Sequence, residues 1–191
     1  MKKVLFLTGD FNEDYETMIP FQMLETVGYT VHAVCPNKKK GDTIKTAIYN
    51  CENDQKNPEN TADNFTLNYS FDDVNVCEYD GLVIAGGKVP EYLRLNVRII
   101  EMVKHFFATN KPIAAICQGI QILIAADVVK GRKLTAHPAI GLQLTLAGGE
   151  FQSIPVPGAF VDGNLVTSPA WPAHPNFIRE FLKIMGTKIG I

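Results

Sequence analysis

The chain has 191 residues, 46% of them hydrophobic and 15 of them glycine, enough to bury one substantial core but short for two. Eighteen Lys and Arg against 20 Asp and Glu leave a formal net charge of -2, and the basic residues are dispersed apart from Lys38-Lys39-Lys40, so no basic face for nucleic acid stands out. No segment reaches membrane-spanning length, and the apolar stretch after Met1-Lys2-Lys3 is too short for a signal peptide; the sequence reads as cytoplasmic.

Taken in chain order, Lys3 to Thr8 is a continuous apolar run of strand length, and Tyr15 to Thr26 carries a helical pattern that Gly28 closes. Thr30 to Cys35 and Tyr79 to Ile84 read as the next strands, the latter running into Gly86-Gly87. Val97 to Phe107 reads as a helix, Pro112 to Ile116 as a strand and Ile120 to Asp127 as a helix. Lys133 to Ala136, Ala159 to Val161 and Leu165 to Thr167 suggest shorter strands, and Asn176 to Met185 a closing helix. This alternation predicts an α/β fold, doubly wound, with a mostly parallel sheet and helices on both faces. The polar stretch 37–70 is longer than an ordinary connection and is compatible with a lid, an oligomer contact or a small hairpin; Leu67 to Phe71 is its candidate strand.

In Lys111-Pro-Ile-Ala-Ala-Ile-Cys-Gln-Gly119 an apolar run ends where a helical pattern begins, which predicts a strand-to-helix elbow with Cys117 at its apex. N–H groups at a helix start favour thiolate over thiol and are placed to hold an oxyanion. Gly9, Gly86-Gly87 and Cys117 all fall at carboxyl ends of predicted strands, where doubly wound sheets bind ligands. The other cysteines, Cys35, Cys51 and Cys77, show neither CxxC nor metal-like spacing, and no acid or glycine nest that would activate them is expected nearby; no disulfide framework, metal or cofactor is expected, and Cys51 is at most an accessory redox thiol. The sequons at Asn64 and Asn68 carry no weight without a secretory signal.

Four stretches carry a resemblance: Glu13-Asp-Tyr-Glu-Thr-Met-Ile-Pro20; Asp80-Gly-Leu-Val-Ile-Ala-Gly-Gly87 with Val89-Pro-Glu91; Ala114-Ala-Ile-Cys-Gln-Gly119; and Gly131-Arg-Lys-Leu-Thr-Ala-His-Pro138. Together, in this order, they resemble the ThiJ/PfpI superfamily, with its flavodoxin-like, class I glutamine amidotransferase-like fold, over nearly the whole chain; the polar insert is most similar to the plant glyoxalase III-like branch.

The resemblance implies a reactive cysteine at Cys117 and an acidic partner at Glu16, with Glu13 able to assist or to serve the helix dipole. It implies that the Gly87 and Gln118 N–H groups form an oxyanion hole beside Gly86. Many relatives place histidine after the cysteine and pair it with a Pro-Glu glutamate from a neighbouring subunit. Here Gln118 follows, and it cannot take a proton, which argues against peptidase chemistry; Glu91 is left as a partner for the Gln118 amide or as a loop charge. His137 is a candidate substitute base or the cap of a strand end, and Trp171 and His174, in Pro169-Ala-Trp-Pro-Ala-His-Pro175, fall on a loop that relatives place beside the pocket or the dimer contact, Trp171 as packing. His32 and His105 read as structural or exposed.

The implied activity is cofactor-independent conversion of small reactive aldehydes such as methylglyoxal to lactate, or repair of their early adducts, in a homodimer or trimer of dimers. The competing reading is a redox-sensing or stress-response protein that uses oxidation of Cys117. Amidotransferase activity is weakened by the lack of a clear Cys-His-Glu triad.

Overall fold

The computed structural model describes residues 1–49 and 60–188. Strands β1 (Lys3–Leu7) and β2 (Asn12–Glu13) precede helix α1 (Asp14–Thr26), followed by β3 (Thr30–Val34), β4 (Thr43–Ile48), β5 (Asn60–Thr66) and β6 (Gly81–Ile84). Helices α2 (Val89–Leu93) and α3 (Val97–Ala108) lead to β7 (Ile113–Ile116) and α4 (Ile120–Ala125). Then come β8 (Lys133–Leu134), α5 (Gly141–Leu146), β9 (Glu150–Phe151), β10 (Phe160–Asp162), β11 (Leu165–Ser168) and α6 (His174–Ile184).

Six strands form the central sheet in the order β10-β11-β7-β6-β1-β3, parallel throughout except for the antiparallel β10. Its middle strands are apolar along their length because both faces are covered. Along β1, Val4 and Phe6 join Leu24, Phe177 and Phe181 on one side, while Leu5 and Leu7 join Val103, Phe106 and Leu123 on the other. Alternation across the pleat thus feeds two cores, one under α1 and α6 and one under α3 and α4. The doubly wound sheet with helices on both faces matches the architecture expected from the alternating sequence pattern.

The elements differ from expectation where polar residues build structure. Leu67 to Phe71 is not a strand; β5 ends at Thr66, and Phe71 opens a short 3-10 turn. The insert forms an antiparallel β4–β5 hairpin, and β4 also pairs in parallel with β2, Asn12 opposite Thr46 and Glu13 opposite Ala47. The Lys133 to Ala136 run does not join the main sheet: only Lys133 and Leu134 are extended, and they pair with β9. Gly28 closes α1 as expected, with φ +83° and its N–H bonded to the Glu25 carbonyl at 2.9 Å. Cys51 lies outside the described residues.

The edge strand β3 is covered by a side chain. Asn68 accepts the Ala33 N–H through Oδ1 at 2.8 Å and donates from Nδ2 to the Val31 carbonyl at 2.7 Å, imitating a neighbouring strand. Asn68→Ala is expected to cost about 1–2 kcal/mol, by the worth of two partly buried hydrogen bonds, in chemical denaturation; a loss below the error of that measurement contradicts the assignment. The second sequon asparagine is therefore a structural residue.

Candidate functional site

Residues after β1, β6 and β7, three adjacent strands, meet at the carboxyl rim of the sheet. Cys117 directly follows β7 and has φ +57°, the left-handed region that non-glycine residues avoid. Space forces this turn. A Cβ on Gly119 would lie 2.9 Å from both the Ile84 and Ala85 carbonyl oxygens, so the chain leaving the elbow runs against β6 and only glycine fits there. Cys117 is largely enclosed, keeping 8% exposure. The elbow therefore presents the thiol through a narrow opening, less openly than the sequence suggested.

Glu16 is fully buried near the start of α1. Its Oε2 accepts the Gly86 N–H at 2.9 Å, while the Cys117 side chain and the Trp171 main-chain N–H approach the same carboxyl as hydrogen-bonding partners. Burial, reinforced by the nearby Glu13 charge, pushes its pKa well above the usual carboxylate range, and those three contacts only partly offset the rise. Oε1 has no conventional partner in these surroundings. A proton retained on the carboxyl is placed to be shared with the Cys117 side chain that hydrogen-bonds to it.

Glu13 caps α1, its Oε2 accepting the Glu16 N–H at 2.8 Å. Its carboxyl is pushed up to about 7, chiefly by burial and then by the Asp14 charge, against the N–H groups of Glu16, Tyr15 and Tyr49, which lower it. Glu13 thus serves the helix start, one of the two parts the sequence left open, and lies beside Glu16. A raised folded-state pKa stabilises the fold below the ordinary value of 4.5, and that contribution is lost as pH rises through about 7. Between pH 5 and pH 8, urea denaturation is expected to show wild type losing about 2 kcal/mol relative to Glu13→Gln, by proton linkage. Parallel profiles contradict a buried, proton-binding Glu13.

Gly87 has φ +73°, and a Cβ there would lie 2.3 Å from the Glu13 nitrogen, so the loop after β6 lies directly on the strand that carries Glu13. The Gly86 N–H is taken by Glu16, and a Cβ there would fall 2.3 Å from Glu16 Oε2 and 2.7 Å from the Cys117 Cβ. Its place is to let acid and thiol approach each other, and its N–H is not offered to a ligand.

Within one chain Gln118 does not pair with Glu91. Its Oε1 accepts from Gln121 Nε2 at 3.1 Å, one turn along, and Glu91 is exposed in the first turn of α2. His137 is tied to the elbow through its main chain, its N–H donating to the Cys117 carbonyl at 3.2 Å. Its Nδ1 accepts the Ala139 N–H at 3.3 Å, which directs the proton of a neutral ring to Nε2. Trp171 packs its ring on Tyr15, centroids 5.0 Å apart, and supplies Glu16 with its N–H.

His174 belongs to no loop: it opens α6, buried, its pKa pushed down to about 4 by burial. His32 stacks on Tyr69, and His105 is half-buried on α3. The expectation that Cys35 has no acid or glycine nearby is also corrected. It is buried beside Asp10, Tyr92 and Gly9, and burial first, then the Asp10 charge, pushes its thiol up to about 11, which keeps it unreactive.

Two residues that sequence reading passed over complete the surroundings. Tyr49, at the end of β4, donates from its hydroxyl to the Phe11 carbonyl at 2.9 Å; the negative charges of Glu13, Glu91 and Cys117 face that hydroxyl. Phe11 itself has φ +63°. Neither position has a periodic or motif signal. Among the described residues, no three His, Cys, Asp or Glu side chains cluster as metal ligands, and no helix is long and apolar enough to cross a membrane. A cavity of about 450 Å³ along α3, between Val74, Arg98, Met102 and His105, is lined by none of these site residues.

The chain is similar to known proteins over nearly its whole length. The chain is 48% identical over 189 residues to Protein DJ-1 homolog D of Arabidopsis thaliana, covering 98% of this chain and 49% of that protein. It is 35% identical to Deglycase PH1704 of Pyrococcus horikoshii, covering 96% of this chain and 99% of that one. It spans about half the length of three Arabidopsis relatives, homologs D, E and F. Among solved structures, a two-domain protein of Anabaena variabilis with DJ-1/ThiJ/PfpI-like and ferritin-like domains superposes with a TM-score of 0.81 at 26% identity, over 98% of this chain and 49% of that one. Schizosaccharomyces pombe DJ-1 superposes with a TM-score of 0.76 at 21% identity, over 95% of this chain and 90% of that one. With the family model also matching residues 2–184, the chain belongs to the DJ-1/PfpI family.

Proposed function

We propose that this protein acts on small reactive carbonyls, in the manner of a deglycase or glyoxalase, and that it converts methylglyoxal to lactate through Cys117 and Glu16. The observation that carries the reading is the buried Glu16 carboxyl, its pKa raised well above the ordinary range, with the Cys117 side chain against it at a strained elbow. Relatives named deglycases support the carbonyl class: the Pyrococcus horikoshii protein, and Protein/nucleic acid deglycase 2 of Escherichia coli at 36% identity over 97% of this chain.

The Cys117 thiolate adds to the aldehyde carbon, and the aldehyde oxygen takes a proton from Glu16, forming a hemithioacetal. The Glu16 carboxylate then removes the proton from that same carbon, leaving an enediolate with its charge on the former ketone oxygen; Glu16 returns that proton to the former ketone carbon while the hydroxyl proton of the first carbon passes to the adjacent oxygen. The product is an S-lactoyl thioester on Cys117. Water adds to its carbonyl, the thiolate leaves, and lactate departs, so the net reaction is methylglyoxal plus water to lactate with no redox partner. Main-chain N–H groups of Gly87 and Gln118 are the proposed donors to the oxyanions.

The test is lactate formation from methylglyoxal by wild type and Cys117→Ala. Turnover by wild type that vanishes in the variant supports the reading. Equal rates overturn it, and a wild type that consumes one equivalent and stops favours the redox-sensing alternative.

A further inference from the structure

We infer that Tyr49, contributed by the β4–β5 hairpin, is a positioning residue for the Cys117 site: it clamps the strand that carries Glu13, and through Glu13 it sets the register of Glu16 against the sulfur. The inference rests on the carbonyl-processing reading above and adds to it a part for the polar insert, which has no other assigned role.

The connection runs through named contacts. Tyr49 Oη donates to the Phe11 carbonyl at 2.9 Å, and that carbonyl also accepts the Lys88 N–H at 3.0 Å, joining the insert, the strand before α1 and the loop after β6 at one oxygen. Phe11 N–H donates in turn to the Lys45 carbonyl of β4 at 2.7 Å, so β4 holds the 11–13 segment at both ends. The Tyr49 main-chain N–H donates to the Glu13 carboxyl. Glu13 then fixes the Glu16 N–H at 2.8 Å, and Glu16 stands against Cys117. Phe11 sits in the left-handed region, a conformation that persists only where neighbours hold it. Tyr49 is one of those neighbours.

Acidic groups crowd these contacts, together with Lys45 and Lys88, whose main chains join them. Asp14 and Glu16 of α1 face Glu13, while Glu91 of α2, Cys117 of the elbow and Glu13 itself face the Tyr49 hydroxyl. A phenol is suited to the spot because it bridges these groups as a donor while staying neutral; burial and those charges push its pKa up to about 12. Removing the hydroxyl loosens the Phe11 end of the 11–13 segment, draws the Tyr49 N–H away from Glu13, and so raises the pH at which Glu13 ionises.

Tyr49→Phe keeps the ring and removes only the clamp. Two measurements test it: the pH dependence of Cys117 alkylation by iodoacetamide, and kcat and KM for methylglyoxal. Against wild type, the variant is expected to show the Glu13-linked step of the alkylation profile displaced to higher pH, and kcat reduced roughly tenfold with KM within twofold, as for a loss of alignment. Superimposable alkylation profiles with kcat within twofold overturn the inference. If wild type shows no Cys117-dependent turnover at all, the proposed function falls, and the alkylation profile alone then decides the part of Tyr49.

Discussion

Glu16→Gln is expected to lower methylglyoxal turnover by roughly 10²–10⁴-fold, the usual worth of a positioned acid and base, while leaving the protein folded. Glutamine reproduces nearly everything static that a protonated glutamate does here. Its Oε1 accepts the Gly86 and Trp171 N–H groups, and its Nε2 donates toward the Cys117 sulfur. It cannot release or take up a proton. The variant therefore separates two roles of one carboxyl, supporting the sulfur and moving a proton between carbon and oxygen. Alkylation of Cys117 at neutral pH should proceed within a few-fold of wild type, with turnover lost. If turnover survives within tenfold, Glu16 is not the shuttle; if alkylation also collapses, its main part is to support the thiolate.

Gly87→Ala is expected to be the most damaging small substitution in the site. At φ +73° a side chain is strained, and the new Cβ would stand 2.3 Å from the Glu13 nitrogen, 2.8 Å from the Asn12 carbonyl carbon and 2.8 Å from the Phe11 oxygen. All three are backbone atoms that cannot swing aside. Left-handed strain and overpacking together cost about 3 kcal/mol or more, and whatever folds has the 11–13 segment displaced from Glu16. Gly28→Ala is the matched control. Its φ is +83°, but nothing lies within 4 Å of the added carbon, so it bears strain without collision, about 1 kcal/mol, and turnover should be untouched. Thermal unfolding and lactate formation measured on both variants check the contrast; equal losses would mean that the close packing on Glu13 is immaterial.

The parts of the fold that could be read from the sequence share one physical property. Val4 to Leu7, Leu82 to Ile84 and Ile113 to Ile116 are buried on both faces, so their apolar runs mark strands directly. The elbow at Cys117 was legible for the same reason, because an apolar strand ends abruptly against a glycine-bounded turn. Structure built from polar residues was not legible. The hairpin of β4 and β5 has one solvated face and a register shift between Lys45 and Ala47, which blurs its alternation. The two-residue strand β2 has no periodicity to detect. The Asn68 cover on β3 depends on a contact 35 residues away in sequence.

In the candidate site, Cys117, Glu16 and Glu13 fall together, while Gln118 turns to Gln121 and Glu91 remains exposed. A pairing of those last two was one of two readings left open, the other being a loop charge, and within one chain the Gln118 side-chain oxygen takes the Gln121 amide. A glutamine, with no charge to offer a carboxylate, finds an equally good partner one helical turn away. Cys35 was misjudged for a different reason: Gly9, Asp10 and Tyr92 reach it from separate elements, and no local pattern announces such a convergence.

The whole account depends on a protonated carboxylic acid beside the reactive sulfur. Infrared difference spectroscopy reads that state directly, at alkaline pH above the value of about 7 at which Glu13 gives up its proton. The carbonyl stretch of a protonated acid should be present in wild type, absent in Glu16→Gln, and displaced when Cys117 is alkylated. A spectrum showing only ionised carboxylates under those conditions, or a protonated-acid band that persists in Glu16→Gln, contradicts it.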